Sequence, residues 1–274
     1  MTFDFRLLTF DIRLSNNMTT HQLCDILNEF APLSLQDSWD NSGLQIDNND
    51  APVTGVLICF DITEKSLQEA IAKNCNVIVA HHPLLFHGLK QISHNAYIER
   101  CVRIAILNNI AIYCNHTPLD KVQGGISWML GQKLGIQNMA YLQTDGSASY
   151  GTIGDFPAPI SENEFIGLLK KTFGLTYVRC SDPLNKPISK VALCGGSGAF
   201  LIEDAIKAKA DAFVCGDIKH HEFYKAEHKI LLADIGHFES EIGTKEIFFS
   251  ILSKKIPTFA LHLSEHDKSP INCL

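Results

Sequence analysis

The segment Val77-Ile78-Val79-Ala80-His81-His82-Pro83 decides the fold. Four apolar residues in succession, three of them β-branched, describe a fully buried strand. Pro83 brings no amide hydrogen to a sheet ladder, so the strand stops at the histidines. Inside a strand, adjacent side chains point to opposite faces, and His81 and His82 could not share a site. Where the backbone leaves the pleat, both rings can turn into one crevice, and open α/β sheets bind their ligands in that crevice. A polar strand end with two exposed histidines is the alternative for this segment alone.

The flanking sequence alternates in kind. Val53 to Phe60 reads as a strand and Glu64 to Lys73 as a helix with Leu67, Ala70 and Ile71 inward. After the histidine strand come a helix over Ala96 to Asn108, a strand over Ile110 to Asn115 and a helix over Val122 to Leu134. Upstream, Leu23, Ile26, Leu27 and Phe30 recur at helical spacing behind Thr19 or Thr20 as N-cap, and Pro32 closes that helix. Trp39 to Ile46 is a turn entering a short strand. Strand–helix–strand alternation of this kind predicts an α/β layered architecture.

The pattern then recurs. Val56 and Cys59 match Val191 and Cys194 at an offset of 135 residues, and the same offset relates Ala70-Ile71 to Ala205-Ile206 and Val79 to Val214. The histidine strand corresponds to Ala212-Phe213-Val214-Cys215-Gly216-Asp217. Two similar α/β lobes forming an internal repeat account for this better than one long sheet. They divide the chain into a first lobe over residues 18–144 and a second over 145–274, with the Gly- and Pro-rich stretch Ser147 to Pro159 as a lobe boundary or edge structure. Residues 1–17 form a separate N-terminal extension. Their charges interrupt any signal-peptide core, and Met18 is the expected start of the folded unit.

Composition excludes several classes. Hydrophobic residues are 46% and charged residues 19% of 274, the balance of a globular protein with ample core. A net charge of −7 gives no electrostatic reason to expect nucleic acid or an anionic membrane as partner. No apolar run is long enough to span a bilayer. The nine cysteines include no Cys-x-x-Cys and fall partly in strand runs. Free thiols of this kind suit a reducing compartment, hence a cytoplasmic location.

A second polar constellation follows from the repeat. The strand ending at Asn115 leads into His116-Thr117-Pro118-Leu119-Asp120, and the strand ending at Asp234 leads soon into His237-Phe238-Glu239-Ser240-Glu241. On a forming helix, positions i and i+4 share a face, so each pair can aim an imidazole and a carboxylate at one point. A lone His-x-x-x-carboxylate is usually only a helix start, where acidic residues are favoured anyway. Two of them, with His81 and His82, supply up to six ligands. That exceeds one tetrahedral ion and suits two ions bridged by a carboxylate. Without cysteine ligands, the candidates are Zn, Mn, Fe or Ni.

WDNSGLQI, VIVAHHPLLF, HTPLD, GDIKHHEF and GHFESE occur in this order. Together they resemble the dinuclear-metal family of GTP cyclohydrolase I type 2 homologues, also called the Nif-three-like family, from Met18 to the C-terminus. The resemblance implies two α/β lobes with a metal pair in the cleft between them, and a homohexameric ring. It maps the ligands onto His81, His82, Asp120, His237 and Glu241, with Glu241 as bridge and His116 as an additional or supporting group. His220 stands where that pattern has an aromatic residue.

Weaker candidates remain. Cys194-Gly195-Gly196-Ser197-Gly198 sits where backbone amides can cradle phosphate, or is a tight strand–helix turn. Asp61 is a candidate support for a ligand. Lys219, His220 and His221 either line the cleft or start a solvated helix, and His87 and Lys90 could meet an anionic substrate. His94, His228, His262 and His266 read as surface or edge residues. Two functions follow. One is a metal-dependent hydrolase acting on a nucleotide-like or phosphorylated small molecule, as the family name implies. The other is a metal-handling protein that stores or delivers ions. No catalytic residue beyond the ligands stands out.

Overall fold

Strands that are apolar at every position need cover on both faces, and that requirement sets the layers of this protein. A computed structural model describes residues 18–143 and 149–272. The N-terminal extension and the expected division between 144 and 145 lie outside the described residues.

The elements run α1 (Thr20–Phe30), β1 (Gly43–Ile46), β2 (Val56–Cys59), α2 (Glu64–Ala72), β3 (Val77–Ala80), α3 (Tyr97–Leu107), β4 (Ala111–Cys114), α4 (Thr117–Lys121), α5 (Ile126–Lys133) and β5 (Gln137–Tyr141). They continue with β6 (Thr152–Ile160), α6 (Glu162–Phe173), β7 (Arg179–Cys180), β8 (Ile188–Ser197), α7 (Ile202–Lys207), β9 (Ala212–Gly216), β10 (Leu231–Asp234), α8 (His237–Glu241), α9 (Thr244–Lys255) and β11 (Leu261–Leu263). Two sheets result, ordered β1-β4-β3-β2-β11 and β5-β6-β8-β9-β10-β7. In the first, β2, β3 and β4 are parallel and β1 lies antiparallel to β4. In the second, β8, β9 and β10 are parallel and β7 lies antiparallel to β10. The two sets share order and sense. The sheets also trade strands. β5 precedes the expected division yet pairs in the second sheet, and β11 returns from the C-terminus to lie parallel to β2.

Alternate residues of each strand face different cores. Val56, Ile58, Val77 and Val79 from the first sheet and Val191, Leu193 and Val214 from the second meet in one apolar cluster, with α1, α5 and α9 contributing Leu27, Leu130 and Phe248. Leu57 and Ile78 face outward onto α2 and α3 through Leu67 and Cys101, and Ala192 and Phe213 face Ile202 and Ala205 of α7. A shared middle layer therefore presses the sheets together and brings the carboxyl ends of their parallel strands to one place.

Local chemistry fixes the helix starts. Thr19 accepts from the Gln22 amide while the Gln22 side chain accepts from the Thr19 amide, and Ser161 and Glu164 repeat the arrangement at α6. Three expectations need correction. The helix expected over Val122–Leu134 begins only at Ile126, because Gly124 takes φ +83° and a Cβ on Gly125 would meet the Leu119 carbonyl oxygen at 1.9 Å. Thr152–Ile160 is not an edge but the interior strand β6. Its Pro157 and Pro159 fall where the register with β8 is irregular, so their missing amides break no regular ladder. Ile71 is 38% exposed on the outer side of α2. Among the described residues, no helix is long and apolar enough to cross a membrane.

One buried polar bridge ties α1 to β4. The Tyr113 hydroxyl donates to Asn28 Oδ1 at 2.6 Å and accepts from Asn115 Nδ2, which also donates to the Ala31 carbonyl at 2.9 Å. Tyr113→Phe leaves polar groups unpaired beside a dry core, and the expected loss is about 1–3 kcal/mol in urea denaturation. A change under about 0.5 kcal/mol, ordinary for a surface substitution, would show the bridge to be dispensable.

Candidate metal centre

Each histidine of the cluster stands just beyond a parallel strand. His81 and His82 follow β3, His116 caps α4 after β4, and His237 opens α8 after β10. The first turns of α4 and α8 carry Asp120 and Glu241 round to the face of their histidines, as i, i+4 spacing requires. Three groups of potential ligands result, each with its atoms within 4.8 Å of one another: His81, His82 and His116; His82, His237 and Glu241; and His81, Asp120 and Glu241.

The orientation of every ring is fixed from behind. His81 Nδ1 lies 3.2 Å from the Asn115 carbonyl oxygen, His82 Nδ1 2.8 Å from Asp61 Oδ1, His116 Nδ1 2.9 Å from Asp40 Oδ1, and His237 Nδ1 2.8 Å from Asp217 Oδ2. An acceptor at Nδ1 keeps a proton there, so that Nε2, once it gives up any proton of its own, offers the lone pair with which imidazole binds a metal. Asp40 is itself held, accepting from the Ser42 hydroxyl and from the Thr117 amide and hydroxyl.

The Nε2 atoms converge on one oxygen. Glu241 Oε2 lies 2.9 Å from His237 Nε2, 3.3 Å from His82 Nε2 and 3.7 Å from His81 Nε2, while His81 Nε2 is 3.9 Å from Asp120 Oδ1. His81 is fully buried and Glu241 nearly so. Even at these distances, His81 Nε2, Asp120 Oδ1 and Glu241 Oε2 find no partner with hydrogen-bond geometry. Buried polar atoms left unpaired are costly, and three meeting at one point form a pocket that a cation would satisfy. Imidazole nitrogen with carboxylate oxygen is a donor set that divalent transition ions accept.

Comparison with known proteins agrees with the fold. The description Duf34/NIF3 (NGG1p interacting factor 3) matches residues 18–270. This chain belongs to the Duf34/NIF3 family. A relative from Clostridium acetobutylicum, named GTP cyclohydrolase 1 type 2 homolog, is 31% identical over 253 residues, covering 90% of this chain and 92% of that one. NIF3-like protein 1 of Drosophila melanogaster is 29% identical over 273 residues, covering 95% and 92%. The crystal structure of a Staphylococcus aureus hypothetical protein superimposes with a TM-score of 0.86 at 27% identity, covering 94% of this chain and all of the other.

In this Duf34/NIF3 chain all six histidines and carboxylates singled out in the sequence come together, and Asp61 stands behind His82. Lys219, His220 and His221 are exposed, as are His87 and Lys90. His94, His228 and His266 are exposed too, and His262 is half-buried on β11. Sequence reading missed Asp40 and Asp217. Asp40 lies 76 positions from His116, a separation no local spacing reveals, whereas Asp217 follows β9 directly, just where an acidic residue reaches a cleft.

The Cys194–Gly198 segment is the tight strand–helix turn, leading from β8 into helical turns that begin at Ala199, and its glycines have a further role. β8 runs on through Ser197, and a Cβ on Gly196 would meet Glu241 Oε1 at 2.1 Å, while one on Gly216 would meet the His237 backbone at 2.8 Å. The glycines clear space for α8. Gly196 further donates its amide to the Ser240 hydroxyl at 2.9 Å.

Protonation follows from burial and neighbours. Burial pushes His81 down to about 4. Burial acts the same way on His82 and His237, but the Asp61 and Glu241 carboxylates overcome it and raise His82 to about 10, and Glu241 with Asp217 raises His237 to about 9. Burial and the charge of Glu241 push Asp120 well above the usual carboxylate range. Burial also opposes ionisation of Glu241, yet the surrounding imidazoles of His81, His237 and His82 hold it well below that range. Asp40 is held low despite its burial, through His116, Thr117 and Ser42.

Gly196 sits at φ +58° with Glu241 against it, so Gly196→Ala must displace the carboxylate or strain the strand. The expected result is a loss of at least about 1 kcal/mol in chemical denaturation. An unchanged midpoint would show that the close approach of α8 to β8 is slack.

Proposed function

We propose that this chain binds two divalent ions in the cluster and uses them to hydrolyse a nucleotide-like or phosphorylated small molecule. One observation carries the reading: two of the three ligand groups, His81 with Asp120 and His82 with His237, have only Glu241 in common, and its buried Oε2 lacks a hydrogen-bond partner. A carboxylate shared in this way is the natural bridge between two ions. When bound, such a pair supplies Lewis acidity and lowers the pKa of water towards neutrality. The chain's own residues hold and orient. Asp61 and Asp217 fix His82 and His237, the Asn115 carbonyl fixes His81, and Asp40 fixes His116 at the wall of the cavity, an arrangement suited to carrying a proton. The name that several curated relatives carry, GTP cyclohydrolase 1 type 2 homolog, supports a nucleotide-like substrate. A cavity of about 580 Å³ opening on the cluster supports catalysis over mere storage.

The same reading divides the chain into lobes over 18–144 and 145–274 derived from an internal repeat, which the matching strand orders support. It also includes a ring-shaped homohexamer, on the family resemblance alone, and a reducing, cytoplasmic location, which the buried free thiols support.

Elemental analysis of metal-supplemented protein is expected to give about two ions per chain, followed by turnover in a nucleotide hydrolysis screen. Two ions without turnover would leave the metal-handling function, and no ions would end the metal reading. Glu241→Gln keeps shape but removes the charge that offsets two dications. It is expected to lose at least one ion and to lower activity by orders of magnitude with unchanged circular dichroism, whereas His94→Ala changes neither.

Acidity supplies an independent check. Without metal, His82 and His237 hold protons at neutral pH, since their values are raised to about 10 and about 9. A cation must displace those protons, so loading at pH 7 in weak buffer is expected to release protons, and affinity to rise as pH rises. Uptake that is independent of pH between 6 and 9 would contradict this.

A further inference from the structure

We infer that the cavity over the cluster grips a planar conjugated ring, with Trp39 and Phe200 as the residues that select it; for the chemistry done on that ring, the inference rests on the hydrolase reading. The two aromatic walls come from different sheets. Trp39 precedes β1 and Phe86 follows β3, while Tyr150 precedes β6 and Phe200 follows β8, and all four line the cavity that also holds Asp120 and Glu241. Trp39 and Phe86 stack with centroids 5.8 Å apart at 25°, and each meets the His116 ring in a T-shaped contact. Tyr150 and Phe200 meet edge to face at 5.3 Å.

These rings are left to water in a chain that buries most of its large apolar side chains. Trp39 and Phe200 are each 55% exposed. Tyr150, which Phe200 meets, is held in place. The Tyr150 hydroxyl donates to Asp37 Oδ2 at 2.6 Å, Lys121 Nζ lies 4.8 Å over the Tyr150 ring, and Lys121 also pairs with Asp37. The structure thus maintains aromatic faces beside a polar floor formed by the ligand cluster, with His82, His116, Asp120, His237 and Glu241 lining the same cavity. A flat ring with a polar edge satisfies both, stacking on the walls while its edge meets the floor. A bare polyanion could use the floor only.

Trp39 is also the reporter. The chain has two tryptophans, and the other, Trp128, is buried. Metal-loaded protein is titrated with guanosine triphosphate and, separately, with inorganic tripolyphosphate. Guanosine triphosphate is expected to quench the exposed tryptophan and tripolyphosphate is not. By equilibrium dialysis, Trp39→Leu and Phe200→Leu should each weaken guanosine triphosphate by about tenfold or more, in line with loss of one stacking contact. Tripolyphosphate should change less than about twofold and Trp39→Phe should retain most of the affinity, since it keeps a ring to stack on. Unchanged guanosine triphosphate affinity in both leucine variants overturns the inference. So does a tryptophan shielded from acrylamide before ligand is added, with emission that follows protein concentration, since a second copy would then cover the rings. Ring-dependent binding without turnover, or in chelated protein, upholds the ring site while the hydrolase reading fails. Turnover that is indifferent to both leucine variants does the reverse.

Discussion

The structure depends on one buried oxygen. Glu241 Oε2 is withdrawn from water, faces three imidazole nitrogens and finds no hydrogen bond. Such an atom is tolerable only if the surroundings supply positive charge at that point. Much else serves that need: four histidines are turned by acceptors behind them, β3 and β4 come from one sheet and β10 from the other, and glycines at 196 and 216 let α8 approach. Removing the shared middle core would separate the sheets and scatter the ligands.

How much of this was legible in the sequence depends on range. VIVA announces a two-faced strand because burial on both sides leaves no polar alternation to read. The His-x-x-x-carboxylate pairs are visible because a helical turn is short. Asp40 was not, because its partner His116 comes from a distant strand end and only the folded sheet brings them together. The late start of α5 was also hidden. Val122 continues the apolar pattern, and only the turn at Gly124 and the Leu119 carbonyl packed against Gly125 show why the helix waits until Ile126. Pro157 and Pro159 misled in the opposite direction, since proline signals an edge unless the ladder is irregular where it stands.

The layers and the site are one design problem. The middle core needs apolar residues on one face of each sheet, and the outer helices need them on the other, so polar chemistry is confined to strand ends. Both sets of parallel strands put their carboxyl ends at the same junction, where loops from each sheet are near neighbours. The same junction gathers ligands, their supporting carboxylates and the aromatic walls, without any of them entering a core.

The traded strands have a consequence for how such a chain comes into being. A ribosome delivers β2 long before β11, so the first sheet keeps a raw edge along β2 until β11 has emerged. An open strand edge invites pairing with any passing chain. Premature termination therefore releases a product with an adhesive flank, and one that stops before α8 also lacks His237 and Glu241. Synthesis through α8 and β11 is what furnishes the last ligands and closes the sheet.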